Sequence, residues 1–180
     1  MKKLLKIIGV LLLLVIVFVL VSGLVISKEY HFEKSITINA PQDSVWAMVA
    51  TFANQQKWEP WKELDPNMKI TTTGIDGTVG ATYSWTGNKE AGSGKQTIKA
   101  VQSPNRIDIL LQFKEPMENN ADSYISIRDD NGKSIATWAF DTKIGYPFNG
   151  VMKLCKIMDK EMNKDFGKGL DNLKAFCEKK

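Results

Sequence analysis

The chain has 180 residues, enough for one ordinary domain, and its 43% hydrophobic and 24% charged content excludes a disordered chain. The formal charge of +4 is unevenly spread: the first 27 residues hold three lysines and no acid, while the remaining 153 carry 21 bases against 20 acids, a net +1. That balance gives no support to a nucleic-acid surface or a strongly charged ligand, and two cysteines exclude a disulfide scaffold.

From Ile7 to Ile26 the chain runs for 20 residues without a charge, interrupted only by Gly9, Ser22 and Gly23. At ~1.5 Å per residue this spans ~30 Å, the thickness of a bilayer core. No polar face breaks the run, as it would in a buried core helix. A cleaved signal peptide is the competing reading. It needs an apolar stretch of roughly 7–15 residues and a small-x-small exit. Here the stretch is longer and Val21-Ser22-Gly23-Leu24-Val25-Ile26-Ser27 offers no good cleavage site. No cysteine lies nearby, which excludes a lipoprotein anchor. Residues 1–27 are therefore expected to be a cytoplasmic tip and an uncleaved signal anchor. Lys2, Lys3 and Lys6 precede the span, so the positive-inside bias puts residues 28–180 across the membrane, on the periplasmic or extracellular side.

Tyr30–Asn39 alternates as a strand, with Phe32, Ile36 and Ile38 on one face. Ala40-Pro41 stops it, and Pro41 suits the first helical position. Val45, Met48, Val49 and Phe52 then predict a helix of about three turns. A second short helix or turn follows over Ala53–Trp61, broken by Pro60. From about Met68 the period becomes two. Val79, Ala81, Tyr83 and Trp85 form one alternating set, Ile98 and Ala100 another, and Ile107, Ile109, Leu111 and Phe113 a third. Ile125 and Ile127 follow. Asp129-Asp130-Asn131-Gly132 is a strong hairpin turn leading into Ile135–Ile144, with Ala136, Trp138 and Phe140 on one face. Such spacing predicts consecutive antiparallel strands. Gly145, Pro147 and Gly150 end them. Val151, Leu154, Met158, Met162, Phe166, Leu170, Leu173 and Phe176 then recur at steps of three or four, predicting one helix of about 27 residues, weakened at Gly167 and Gly169. Cys155 and Cys177 on such a helix would stand ~33 Å apart, too far for a disulfide. They are read as two unpaired thiols, one buried and one near a frayed end.

One long helix has to cover one face of a curved sheet of about seven strands. The consequence is a helix gripped by a wrapped sheet, an α+β architecture with space between the layers. Tyr83, Trp85, Phe113, Trp138 and Phe140 would line that space with the methionines of the last helix, whose flexible side chains suit varied apolar ligands. For any single one of these residues plain core is the better reading; a cavity for the group follows from the architecture.

Several stretches carry a family resemblance. They are Ser35-Ile36-Thr37-Ile38-Asn39-Ala40-Pro41-x-x-x-Val45-Trp46, Trp58-Glu59-Pro60-Trp61, Val79-Gly80-Ala81-x-Tyr83-x-Trp85-x-Gly87-Asn88, and Asp165-Phe166-x-x-Gly169-Leu170-x-x-Leu173-Lys174. In this order they resemble the START-like superfamily, specifically its polyketide cyclase/dehydrase-like branch, SRPBCC, over about residues 30–178. The resemblance implies a helix-grip fold around a hydrophobic cavity that binds lipids, sterols, polyketides or other apolar molecules. A minority of such proteins are enzymes, and most have no membrane span. The candidate lining is Trp58, Trp61, Tyr83, Trp85, Ile98, Ile109, Leu111, Phe113, Trp138, Phe140, Met158 and Met162.

Signals for catalysis are sparse. His31 is the sole histidine and sits at the start of a strand. One histidine and two helical cysteines do not make a metal site, and no catalytic or cofactor-binding residue is assigned. Glu59, Glu63 and Asp65 cluster near the two tryptophans and read as a solvated turn, although a buried carboxylate there would suit acid–base work. Gly92-Ser93-Gly94-Lys95 lacks the spacing of a phosphate loop and reads as a strand or bulge device. Trp58-Glu59-Pro60-Trp61 forms a rigid ledge with three readings: a structural cap, a cavity mouth, or a headgroup-zone contact. The sequence thus favours a membrane-anchored domain, residues 28–180, that binds an apolar small molecule or lipid without a cofactor. Two alternatives are a cyclase- or dehydrase-like enzyme using a cavity carboxylate or tyrosine, and an envelope protein-interaction module without a ligand.

Overall fold

The first helix, α1 (Lys2–Val25), carries no charged side chain after Lys6, and its large apolar side chains are exposed around most of its circumference up to Val21. The computed structural model describes residues 1–179. Thereafter the chain forms β1 (Glu29–Ile38), α2 (Gln42–Val49), α3 (Phe52–Gln55), a 3-10 turn (Pro60–Glu63), and six strands in succession. These are β2 (Lys69–Thr73), β3 (Thr82–Thr86), β4 (Ser93–Gln102), β5 (Arg106–Glu115), β6 (Asn119–Asp130) and β7 (Lys133–Lys143). Helices α4 (Phe148–Leu154) and α5 (Ile157–Glu178) close the chain.

The strands make one seven-stranded sheet in the order β1-β7-β6-β5-β4-β3-β2. Strands β2 to β7 pair with their sequence neighbours, antiparallel throughout. β1 and β2, consecutive in sequence, lie at opposite edges, with the short helices between them. The β6–β7 hairpin turns as its sequence predicts: Asn131 and Gly132 both have positive φ (54° and 83°) and Asp130 pairs with Lys133, the geometry that Asn-Gly tolerates best.

Two compact units divide the chain. One comprises Met1–Tyr30 with Lys143–Glu161, the other His31–Thr142 with the residues from Met162 onward. In the second unit the sheet grips α5, a helix-grip fold. Phe166 of α5 stacks on Trp138 of β7 at 4.1 Å between ring centroids, and Phe32 of β1 meets Phe166 edge-on at 5.6 Å. Gly169 allows this approach, since a Cβ there would lie 2.7 Å from Trp138 Cζ3. Polar ties run from α5 to β1: Lys34 Nζ donates to Asn163 Oδ1 (2.6 Å) and Lys174 Nζ to the Thr37 carbonyl (2.8 Å).

In the first unit α1 ends against α4. Ser22 and Gly23 are buried there, and a Cβ on Gly150 would lie 2.6 Å from Ser22 Cβ, so the helices meet through small residues. Asn149 Nδ2 donates to the carbonyls of Gly23 (3.0 Å) and Ile26 (2.6 Å). Tyr30 Oη donates to Asp159 Oδ1 at 3.0 Å.

Four details differ from the sequence reading. The three-turn helix after Pro41 stops at Val49; Thr51 then caps a new helix, its side chain accepting from the Asn54 amide, while Asp76 accepts from the Phe52 and Ala53 amides. Val79 is exposed and precedes β3, because Gly77 and Gly80 take positive φ and hold residues 74–81 in turns. The single 27-residue helix is two helices: Lys156 adopts φ 52°, which breaks the helix after Cys155. Lysine is a good helix former, so its side chain gives no warning of a left-handed residue. Cys155 is exposed at this break rather than buried, and Cys177 is half-buried; burial pushes the Cys177 thiol up to about 11.

Candidate functional site: a cavity between sheet and helix

The sheet face that meets α5 is built in cross-strand rows. Tyr83 pairs with Gln96, Gln96 with Leu111, and Leu111 with Ala121. Trp85, Gly94 and Phe113 form a second row, and Ile109, Ser123 and Phe140 a third. Period-two alternation puts all of these on one face. Gly94 leaves room for an indole: a Cβ there would lie 2.6 Å from Trp85 Cζ2, and Trp85 Nε1 donates to the Ala91 carbonyl at 3.1 Å. Trp138 Nε1 donates to Ser123 Oγ (3.2 Å), which itself donates to the Ala139 carbonyl (2.8 Å). With their N–H groups satisfied, both indoles present apolar surface.

Between this face, α5 and the 3-10 turn lies a cavity of about 360 Å³, within the ~300–1,000 Å³ range of small-molecule sites. Nine of the twelve candidate residues line it: Trp61, Tyr83, Trp85, Ile109, Leu111, Phe113, Trp138, Phe140 and Met162. Three do not. Trp58 is fully buried core, its Nε1 donating to the Met48 carbonyl at 2.9 Å and its ring edge-on to Trp138 at 5.2 Å. Ile98 lies one step beyond Gln96 along the same face of β4, where core side chains fill the space. Met158 stands on the first turn of α5, in the other compact unit, and is not among the lining residues. The Trp-Glu-Pro-Trp ledge therefore divides, with Trp58 structural and Trp61 on the cavity.

The acidic cluster divides too. Glu63 pairs with Lys168 on the surface. Asp65 serves a turn, accepting from the amides of Asn67 (2.9 Å) and Asn88 (2.7 Å). Glu59 instead turns inward and lines the cavity, so its reading as part of a solvated turn is overturned. The residue is half-buried, with its carboxyl largely withdrawn from solvent beside the cavity. Among the described residues it accepts no hydrogen bond, and desolvation pushes its carboxyl up to about 7. Tyr83 faces it, and burial together with the Glu59 charge pushes the phenol up to about 12. Sequence reasoning missed the depth of Glu59. Its place between a core tryptophan and a buried proline was the available signal.

The remaining polar lining is Gln56, Lys62, Glu90, Gln96, Glu115, Ser123 and Asp165. Four carboxylates and one lysine thus border an otherwise aromatic and aliphatic cavity. His31 lies on the surface, its Nδ1 2.7 Å from Asp141 Oδ1. Gly92-Ser93-Gly94-Lys95 enters β4 with a shift in register between Ser93 and Gly94. Among the described residues no three His, Cys, Asp or Glu side chains gather as a metal site.

A curved antiparallel sheet gripping a C-terminal helix over an apolar cavity defines the class of START-like, helix-grip proteins. The chain belongs to the family described as polyketide cyclase / dehydrase and lipid transport, whose model matches residues 29–178. A search of the curated proteins finds no match. Similar solved structures include truncated norcoclaurine synthase from Thalictrum flavum, with 13% identity and TM-score 0.63 over 87% of this chain and 98% of that one. A protein from Nitrosospira multiformis shares 19% identity at TM-score 0.59, over 82% and 96% of the two chains. Ara h 8.0201 shares 14% at TM-score 0.55, over 83% and 97%. At these identities the likeness concerns the fold. The family and fold support a hydrophobic ligand-binding domain, and α1 is one helix long and apolar enough to cross a membrane.

Proposed function

We propose that residues 28–180 bind an apolar small molecule or lipid while α1 holds them at a membrane, with the N-terminus in the cytoplasm. The observation that carries this reading is the open, aromatic-lined cavity of about 360 Å³. The burial of Ser22 and Gly23 against α4 supports retention of α1, because cleavage within or just after this contact would strip part of a packed interface. The three lysines before the span support the orientation.

The lining also bears on ligand class. Glu90 and Glu115, with Glu59 part-ionised at neutral pH, outweigh Lys62, so a ligand ending in a carboxylate or phosphate meets like charge, whereas a neutral or cationic head group does not. The test uses the full chain in phosphatidylcholine nanodiscs, titrated with a long-chain amine, alcohol and fatty acid of equal length. Trp61, Trp85 and Trp138 report through their fluorescence. Saturable changes with the amine and alcohol but not the acid are expected. No saturable change with any of them sinks the reading.

A second reading, acid–base catalysis on the bound molecule, is favoured by one observation: a carboxyl held at about 7 beside Tyr83 in an apolar cavity. Such a group can take and return a proton at neutral pH. Deuterium wash-in at the acidic carbon of a 1,3-diketone, accelerated by the protein and lost in Glu59→Gln with binding retained, would support it. Equal rates with and without protein would remove it.

A further inference from the structure

The first compact unit carries an apolar face that its own fold leaves uncovered. Tyr146, Phe148, Leu154 and Ile157 are between 41% and 60% exposed, all within and beside the short helix α4. Asn149 and Gly150 of the same helix are buried against the end of α1. Lys153 Nζ donates to the Glu29 carbonyl, tying the same helix to the chain just past the span. Lys156 and Lys160 follow, both exposed.

The position of this face along α1 identifies what covers it. Ser22, which meets Gly150, lies four residues before Ile26, the last apolar residue of the span. That is ~6 Å along the helix axis, so α4 crosses α1 about one turn inside its apolar end. The bonds at the crossing fit that depth. The last carbonyls of a helix have no intrahelical partner, and at the edge of the hydrocarbon they cannot rely on water. Asn149 Nδ2 supplies donors to two of them, Gly23 and Ile26. Aromatic side chains favour the headgroup zone, and lysines there extend their ammonium groups outward along apolar stems.

We propose that the Tyr146–Ile157 segment is an interfacial foot, which lays Tyr146, Phe148, Leu154 and Ile157 into the headgroup–acyl boundary of the leaflet where α1 emerges. The occupant of the face is phospholipid. The inference rests on α1 being an uncleaved span, and it is independent of what the cavity binds.

The test uses the full chain in phosphatidylcholine/phosphatidylglycerol vesicles. A nitroxide is placed on the native Cys155 in a Cys177→Ser background, which leaves every apolar side chain of the foot intact. Phe148→Cys and Leu154→Cys, each in a background of Cys155→Ser and Cys177→Ser, give two further positions. Accessibility to oxygen and to a polar nickel chelate reports depth. The expected result at 148 and 154 is an oxygen-to-chelate ratio severalfold above that of a water-soluble nitroxide, with an intermediate value at Cys155. Aqueous ratios at all three sites, in a chain that resists alkaline carbonate extraction, would overturn the foot and leave the anchor standing. Exclusion of both reagents would mean that protein covers the face and would also overturn it. Release of the chain by carbonate would overturn the anchor, and the foot with it.

Discussion

Within the helix-grip unit, two ends of the same sheet face use the same kinds of residue to opposite effect. At one end Phe52, Trp58, Ile98 and Leu170 are exposed by no more than 2% and leave no space. At the other, Trp61, Trp85, Leu111 and Phe113 are half-buried around an open cavity. Composition does not separate them; both are aromatic and aliphatic. The difference lies in what covers them. The closed end is sealed by α2 and by α5, through Trp58 Nε1 to the Met48 carbonyl and Asn172 Nδ2 to the Trp58 carbonyl (3.0 Å). The open end has only the 3-10 turn and the stretch of α5 around Met162 and Phe166, which leaves room beneath it. Polar groups segregate accordingly. Glu59 can stay without a hydrogen-bond partner only because the cavity gives it access to water or ligand.

The largest expected effect attacks the closed end. Trp58→Ala removes a fully buried indole and should cost about 3–5 kcal/mol, read as a drop in urea midpoint with an unchanged m-value. An effect below ~1 kcal/mol, less than the cavity cost of such a truncation, would mean that this end is as open as the other.

The second effect belongs to Glu59. Its folded pKa lies above the unfolded value, so the folded state binds the extra proton and the protein is more stable when this group is protonated. Stability should fall as pH rises from the ordinary carboxylate range of ~4.3 through about 7. Allowing for access through the cavity, the contribution is about 1–3 kcal/mol. Denaturant titrations across pH 4–8 should show this slope in the native chain and a flatter profile in Glu59→Gln. Parallel profiles would place the carboxyl in ordinary solvent.

Gly169→Val tests the junction between the two ends, where α5 presses on Trp138 and Pro60. Overpacking there should cost about 1–3 kcal/mol, seen as a lower Tm, with weaker Trp138–Phe166 coupling in the near-ultraviolet dichroism. A native spectrum would show that the indole can move aside.

The smallest effect on stability, and the most informative about function, is expected from Leu111→Trp. The side chain has room in the cavity, so stability should change by less than ~1 kcal/mol, below the cost of overpacking a filled core. The saturable fluorescence response to the long-chain amine should weaken at least tenfold. A large loss of stability with binding intact would place Leu111 in the filled part of the core.

Much of this was legible in the amino-acid order. The alternation of Ile107, Ile109, Leu111 and Phe113 located β5, and Asn131-Gly132 located the β6–β7 hairpin to within a residue. The family motifs placed the grip between sheet and last helix. Alternation also put seven of the twelve candidate residues on the cavity, because period two assigns a face. It could not assign a position along that face, which is why Ile98 was expected at the cavity and lies in the core. Nor could it show the break at Lys156, since helical spacing on either side of a left-handed residue looks nearly continuous over a few positions.

The net charge shows the same limit. By itself the sequence determined that the excess of base belongs to the tip before an apolar run, because lysines and acids can be counted without knowing where they go. It also determined the run's length, the sheet's periodicity and the near-neutral domain that follows. Only the tertiary structure decided that one of three neighbouring acids, Glu59, turns into the cavity while Glu63 and Asp65 find partners outside. Burial is a property of what packs around a side chain, and those neighbours arrive from β3, β4, β5 and α5, remote in sequence. The same reason hid the contact of Ser22 and Gly23 with Asn149 and Gly150. Small residues carry no hydrophobic signal, and their meaning appears only when two backbones approach.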